Sequence, residues 1–196
     1  MAKTLLRLLL LMLSLATAGF AQQPVPEWEF FGGYSVERTP VRAYFRATPI
    51  IYTNRELWMN LQGWELSVTE NLTSRFGGTF QATGHYKSPV VNGSKNQERI
   101  HSFLYGPRFS HRMGWATPYA HLLFGVGHTS VRVSPGPSDK ETSFVAAVGV
   151  GLDLKLGRKT AVRAFQIQYS PMTQLVSKDH SFQASAGIVF YVGERK

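Results

Sequence analysis

The stretch FVAAVGVGLDLKL, residues 144–156, sorts at every second position into Phe144, Ala146, Val148, Val150, Leu152, Leu154 and Leu156 against Gly149, Gly151, Asp153 and Lys155. That is the period of a strand, whose successive side chains point to opposite faces, and not of a helix. Such a strand needs one solvent for a wholly apolar face and another for a face of glycines and charges. The same demand recurs along the chain. Trp28, Phe30, Tyr34 and Val36 oppose Glu29, Gly33 and Ser35, with the parity blurred by Phe31; Trp64, Leu66 and Val68 oppose Glu65, Ser67 and Thr69. Phe76, Phe80, Ala82 and Tyr86 oppose Arg75, Thr79, Gln81 and His85, and Phe103, Tyr105 and Phe109 oppose Ser102, Gly106 and Arg108.

Leu122, Phe124 and Val126 then face away from His121, Gly125 and Gly127, Ile167 and Tyr169 from Gln166 and Gln168, and Phe182, Ile188, Phe190 and Val192 from Gln183, Ser185 and Gly187. With the stretch at 144–156 these make eight strands. Arg163 has the parity of its strand's apolar set, so a β-bulge at Ala164 or Phe165 is expected to restore one polar face. Proline cannot donate to a ladder, so a bulge is expected at Pro107 and a strand start at Pro118.

Connections alternate in length. Residues 37–59, 88–99, 129–143 and 171–180 form the longer ones, and short turns lie near 70–73, 111–116 and 156–159. Antiparallel neighbours joined in this way send all four long loops to one side. The N-terminus, MAKTLLRLLLLMLSLATAGFAQQ, places Lys3 and Arg7 before an apolar core and small residues, the pattern of a secretory signal peptide cleaved after Ala21. That core is too short for a membrane span of about 20 residues. Removal of residues 1–21 lowers the formal charge from +9 to +7 by taking away Lys3 and Arg7. The remaining Lys and Arg are scattered, so nucleic acid is not an expected partner. The chain has no Cys, which excludes a disulfide framework and a lipid-bearing Cys.

A soluble barrel of the lipocalin type also alternates, with its apolar face inside. Here the polar face is rich in Gly, Ser, Thr and Gln with isolated charges of both signs: Glu29, Glu65 and Asp153 against Arg75, Arg108, Lys155 and Arg163. Those charges suit a narrow lumen where each ion needs a counterion, and the glycines leave room there for bulky neighbours. Trp28, Trp64, Tyr86, Phe109, Tyr169, Phe182 and Phe190 lie near strand ends, as in the aromatic girdles of lipid-embedded barrels. Backbone groups in lipid must all be paired, so the strands must close. The expectation is an all-β, eight-stranded antiparallel up-and-down transmembrane β-barrel over residues 28–193. Residues 1–21 form the signal peptide, 22–27 a short N-terminal segment and 194–196 a C-terminal tail.

WEFFGGYS after the signal, LYGPRFS and HLLFGVG in mid-chain and FQASAGIVFYVG at the end resemble the small outer-membrane β-barrel domain typified by outer-membrane proteins A and X of Gram-negative bacteria and related porin-like barrels. The resemblance covers nearly the whole mature chain. It implies location in the cell outer membrane, contact with its lipid and lipopolysaccharide, and insertion by the barrel assembly machinery. Such barrels commonly end on an aromatic residue, whereas here FYV is followed by GERK.

An eight-stranded barrel fills its interior with side chains, so the leading expectation is a monomeric, non-enzymatic envelope protein with a plugged lumen and no metal or other cofactor. An enzyme alternative starts from His128 and Ser130, two apart on one strand face, with Glu141 across the next loop. This is the residue set of a nucleophilic triad, and its spacing resembles that of small outer-membrane lipid A deacylases. A third reading is a binding module, because the first long loop carries Arg38, Arg42, Arg46 and Arg55 among aromatic residues. Those arginines suit lipopolysaccharide phosphates or an external partner.

Overall fold

The computed structural model describes residues 25–47, 51–88, 90–91, 94–134, 138–173 and 178–195, with side chains over 25–39, 58–88, 97–130, 132, 140–171 and 180–195. The expected signal peptide and the side chains of Arg42, Arg46 and Arg55 lie outside the described residues. The strands are β1 (Trp28–Ala47), β2 (Ile51–Asn71), β3 (Phe76–Lys87), β4 (Val90–Val91), β5 (Ser94–Ser110), β6 (Ala116–Ser134), β7 (Ser138–Lys155), β8 (Thr160–Thr173) and β9 (Lys178–Val192). β4 is a two-residue return against β5. The other eight form a ring in the order β3-β2-β1-β9-β8-β7-β6-β5, closed by β3 on β5. Closure pairs the eight strands on both sides through the apolar belt, as the interior of a bilayer requires.

Burial is inverted relative to a soluble protein. Phe144, Val148 and Val150 are 55%, 50% and 52% exposed, while Asp153 on the same strand is 1% exposed. The outer surface carries Phe30, Tyr34, Leu66, Phe80, Phe103, Leu122, Phe124, Ile167, Ile188 and Phe190; Glu29, Glu65, Gln81, His85, Arg108, Arg163 and Gln183 are enclosed. This overturns the soluble lipocalin-like alternative, whose large apolar side chains would line the interior. On β9 the apolar outer face runs from Phe182 to Val192. Ten steps of ~3.4 Å at a tilt of ~45° span about 24 Å, close to the ~25 Å apolar band of outer-membrane barrels.

The bulge at Ala164 is present. Leu152 faces Phe165 and Asp153 faces Arg163, leaving Ala164 as the extra residue, and the β8–β9 register shifts at the same place. Arg163 thereby points inward. The expectations for the prolines need correction. The β5–β6 register is the same at Tyr105↔Phe124 and Arg108↔His121, so Pro107 sits in an unbulged strand whose other side pairs with Gly78. β6 begins at Ala116, two residues ahead of Pro118.

The long connections also differ from expectation. β1 and β2 stay paired as far as Ala47↔Ile51, β5 and β6 to Lys95↔Ser134, and β6 and β7 to Arg132↔Ser138. Most of what reads as loop is therefore hairpin ladder beyond the apolar belt. Both ends of the described chain lie at the opposite end of the barrel with the short turns, where Val25 and Arg195 form a bridge. The glycines of β7 do leave room for bulky neighbours. A Cβ on Gly149 would fall on His121 Nε2 and one on Gly151 on the Tyr119 hydroxyl.

Candidate functional site

The structure does not assemble His128, Ser130 and Glu141. His128 and Ser130 share the outward face of β6, and His128 Nδ1 shares a 2.9 Å hydrogen bond with Thr142 Oγ1. Glu141 pairs in register with Thr129, whose parity is opposite to theirs, so its side chain belongs to the other face of the sheet. A base on one face and a carboxylate on the other cannot form the line that nucleophilic catalysis needs.

The enclosed side chains form a continuous polar network. Nearest the termini, Arg112 pairs with Glu29, which also accepts from Asn71 Nδ2 at 2.9 Å. Arg108 bridges Glu29 at 3.3 Å and Asp153 at 3.0 Å. Arg163 holds Asp153 through Nε at 2.8 Å and Nη2 at 3.2 Å, and its Nη1 lies 3.9 Å from Glu65. Glu65 accepts from Gln166 at 2.8 Å and from Gln183 at 2.7 Å. The guanidinium of Arg108 stacks on the Tyr119 ring at 3.7 Å and that of Arg163 on Phe31 at 4.0 Å, so Phe31, which blurs the parity of its strand, packs inside. Three acids thus meet three arginines, which removes most of the cost of burying either sign. Two cations expected inside the lumen are solvent-exposed instead. Arg75 and Lys155 are exposed at the short-turn end, and Arg112, from a turn, takes the place expected of them.

Further along the lumen the structure lines up a different Ser, His and Glu. Ser35 Oγ and His85 Nε2 are 2.9 Å apart, and His85 Nδ1 lies 2.9 Å from Glu37 Oε2. The order is that of a nucleophile, base and carboxylate. Ser35 and His85 are both 0% exposed, however, so no reacting carbonyl reaches the hydroxyl and the group acts as a polar link across β1 and β3. On β5–β7 the interior is apolar: Leu104, Leu123, Val145 and Ala147 form one buried cluster. In the ladder above the belt, burial first and the Glu37 carboxylate second raise the pKa of Glu98. Among the described residues no three His, Asp or Glu side chains converge as metal ligands.

At the loop-side rim of the apolar belt the outer face turns amphipathic. Trp64 Nε1 donates to the Tyr86 hydroxyl at 3.3 Å, and that hydroxyl shares a 2.9 Å bond with His101 Nε2. His101 faces His128 across β5 and β6, and Tyr169 bonds His180. Aromatic bodies with polar tips suit a membrane–water boundary.

No protein-family model matches the chain, and no curated protein matches it. Solved structures do. Neisserial surface protein A, NspA, superposes with a TM-score of 0.63 at 11% identity, over 83% of this chain and 96% of its own. Ail, the attachment invasion locus protein of Yersinia pestis, solved with the heparin analogue sucrose octasulfate, gives 0.60 at 15% identity, over 85% and 98%. The outer-membrane protein OprG of Pseudomonas aeruginosa gives 0.59 at 12%, over 87% and 98%. The chain has the fold of the small eight-stranded β-barrels of the bacterial outer membrane.

Proposed function

We propose that this chain is a monomeric, non-enzymatic barrel of the outer membrane, exported by its signal peptide, cleaved after Ala21 and inserted by the barrel assembly machinery. Its charge-paired lumen is closed to solutes, and its long hairpins act outside the cell. The observation that carries this reading is the inversion of burial: an apolar belt about 24 Å tall around enclosed Glu29, Glu65, Asp153, Arg108 and Arg163. A surface of that kind is stable only against lipid, and the neighbours with the same fold come from outer membranes. The closed network from Arg112 to Gln183 supports a plugged interior. The complex of Ail with a sulfated heparin analogue supports an interaction role for the cationic long-loop end over a purely structural one.

The test is recovery of the protein from isolated outer membranes together with a shift in gel mobility between unboiled and boiled detergent samples. Both are expected. A protein found soluble in the periplasm with no shift would contradict the reading.

A further inference from the structure

Above the rim described for the belt, the outer face of β5–β7 holds a cleft of about 260 Å³ lined by Gln97, Arg99, Ser130, Arg132 and Lys140. The register explains the grouping. Ser130 pairs with Arg99 on one side and with Lys140 on the other, and Arg132, two residues further along β6, pairs with Gln97. All five residues have outward parity. The acids of the same ladder, Glu98 and Glu141, have the opposite parity and belong to the other face. Among the described residues no carboxylate lies within ion-pair distance of the three cations. Like charges on adjacent strands repel, and an anion from outside the chain would relieve that repulsion.

We propose that Arg99, Arg132 and Lys140, with the Ser130 hydroxyl at their centre, form a binding site for the phosphate of a lipid headgroup in the outer leaflet. The chemistry fits: guanidinium groups bind phosphate oxygens in pairs, an ammonium adds a point charge and a hydroxyl donates a further bond. Height selects a membrane source over a soluble one. Ser130 lies four residues beyond lipid-facing Val126, about 13 Å along the strand and ~9 Å along the bilayer normal. Long Arg and Lys side chains cover the remaining distance to the headgroup layer. Below the cleft, beyond the row of His101, His128 and Thr142, lie Phe103, Val126 and Phe144, which are about half exposed and offer a surface for acyl chains. A phosphorylated glycolipid such as lipid A, with its chains on those residues, presents its phosphate at this level. The inference rests on the membrane-embedded reading above.

The experiment is a titration of the full-length folded protein with lipid A carrying both phosphates, read as bound lipid by native mass spectrometry. R99Q/R132Q/K140Q is expected to weaken binding at least tenfold. S130D, which keeps all three cations and places a carboxylate among them, is expected to do the same. K155Q/R158Q/K159Q, an equal charge change at the short-turn end, should leave binding unchanged, and dephosphorylated lipid A should bind wild type and triple variant alike. Wild-type binding by R99Q/R132Q/K140Q, or equal loss in K155Q/R158Q/K159Q, would overturn the site. Binding of glucosamine 1-phosphate as tightly as lipid A would overturn the membrane source. Gel mobility before and after boiling tests the barrel in each variant, so loss of the site and loss of the barrel reading are told apart.

Discussion

Arg163 is one of the arginines of the enclosed charge network. It pairs with Asp153, approaches Glu65 and packs on Phe31, so removing it leaves carboxylates with one cation too few. Arg163→Met is expected to cost about 3–5 kcal/mol in reversible urea unfolding from phospholipid vesicles; a loss below about 1 kcal/mol would show that the pairing adds little. Gly151 tests the space left for Tyr119. Gly151→Ala places a methyl against the Tyr119 hydroxyl and disturbs its 2.6 Å bond to Gln166. A loss of about 1–3 kcal/mol is expected from overpacking, measured in the same way. The sequence shows that Glu65 and Asp153 share the polar face, because parity follows from alternation, and Arg163 joins them only through the expected bulge. It does not show height along the barrel, which depends on register between distant strands. Hence Arg112 and the line of Ser35, His85 and Glu37 were not legible, while His128, Ser130 and Glu141, close in sequence, suggested a constellation that strand pairing takes apart.

The bulge in β8 shows what a strand in lipid tolerates. Deleting Ala164 leaves Arg163 inward, Phe165 outward and Gln166 inward, so in–out parity survives, whereas deleting Val150 from unbulged β7 turns half that strand over. The Ala164 deletion is expected to fold to a heat-modifiable barrel and the Val150 deletion to fail. Equal behaviour of the two would contradict the register at Leu152 and Asp153. The bulge was legible because Arg163 broke an otherwise strict pattern. The ladders beyond the belt were not, for a physical reason: lipid on one face and lumen on the other enforce alternation, but above the membrane both faces meet water and the backbone pairs without it. Pro40, paired with Trp58 in the β1–β2 hairpin, therefore reads as loop.

The whole molecule inverts the usual distribution of polarity, and this was legible because most of the glycines, charges and aromatics sort by the same parity, Phe31, Tyr119 and Arg163 being exceptions. Less legible was the interior itself, since Leu104, Leu123 and Val145 lie on faces otherwise read as polar. On the proposed reading of a closed lumen, planar bilayers holding the pure protein are expected to show no porin-sized conductance steps. Regular large steps would contradict a closed lumen. The most direct measurement of the inverted arrangement uses the absence of native Cys. Spin labels on single cysteines at Val148, Val150 and Lys140, all on the outer face of β7, are exposed in lipid vesicles to oxygen and to a water-soluble nickel chelate. Val148 and Val150 are expected to collide with oxygen and not with the chelate, and Lys140 to show the reverse preference. If labels at Val148 and Val150 were shielded from both agents, the apolar face would be packed inside a soluble core and the barrel would be the other way out.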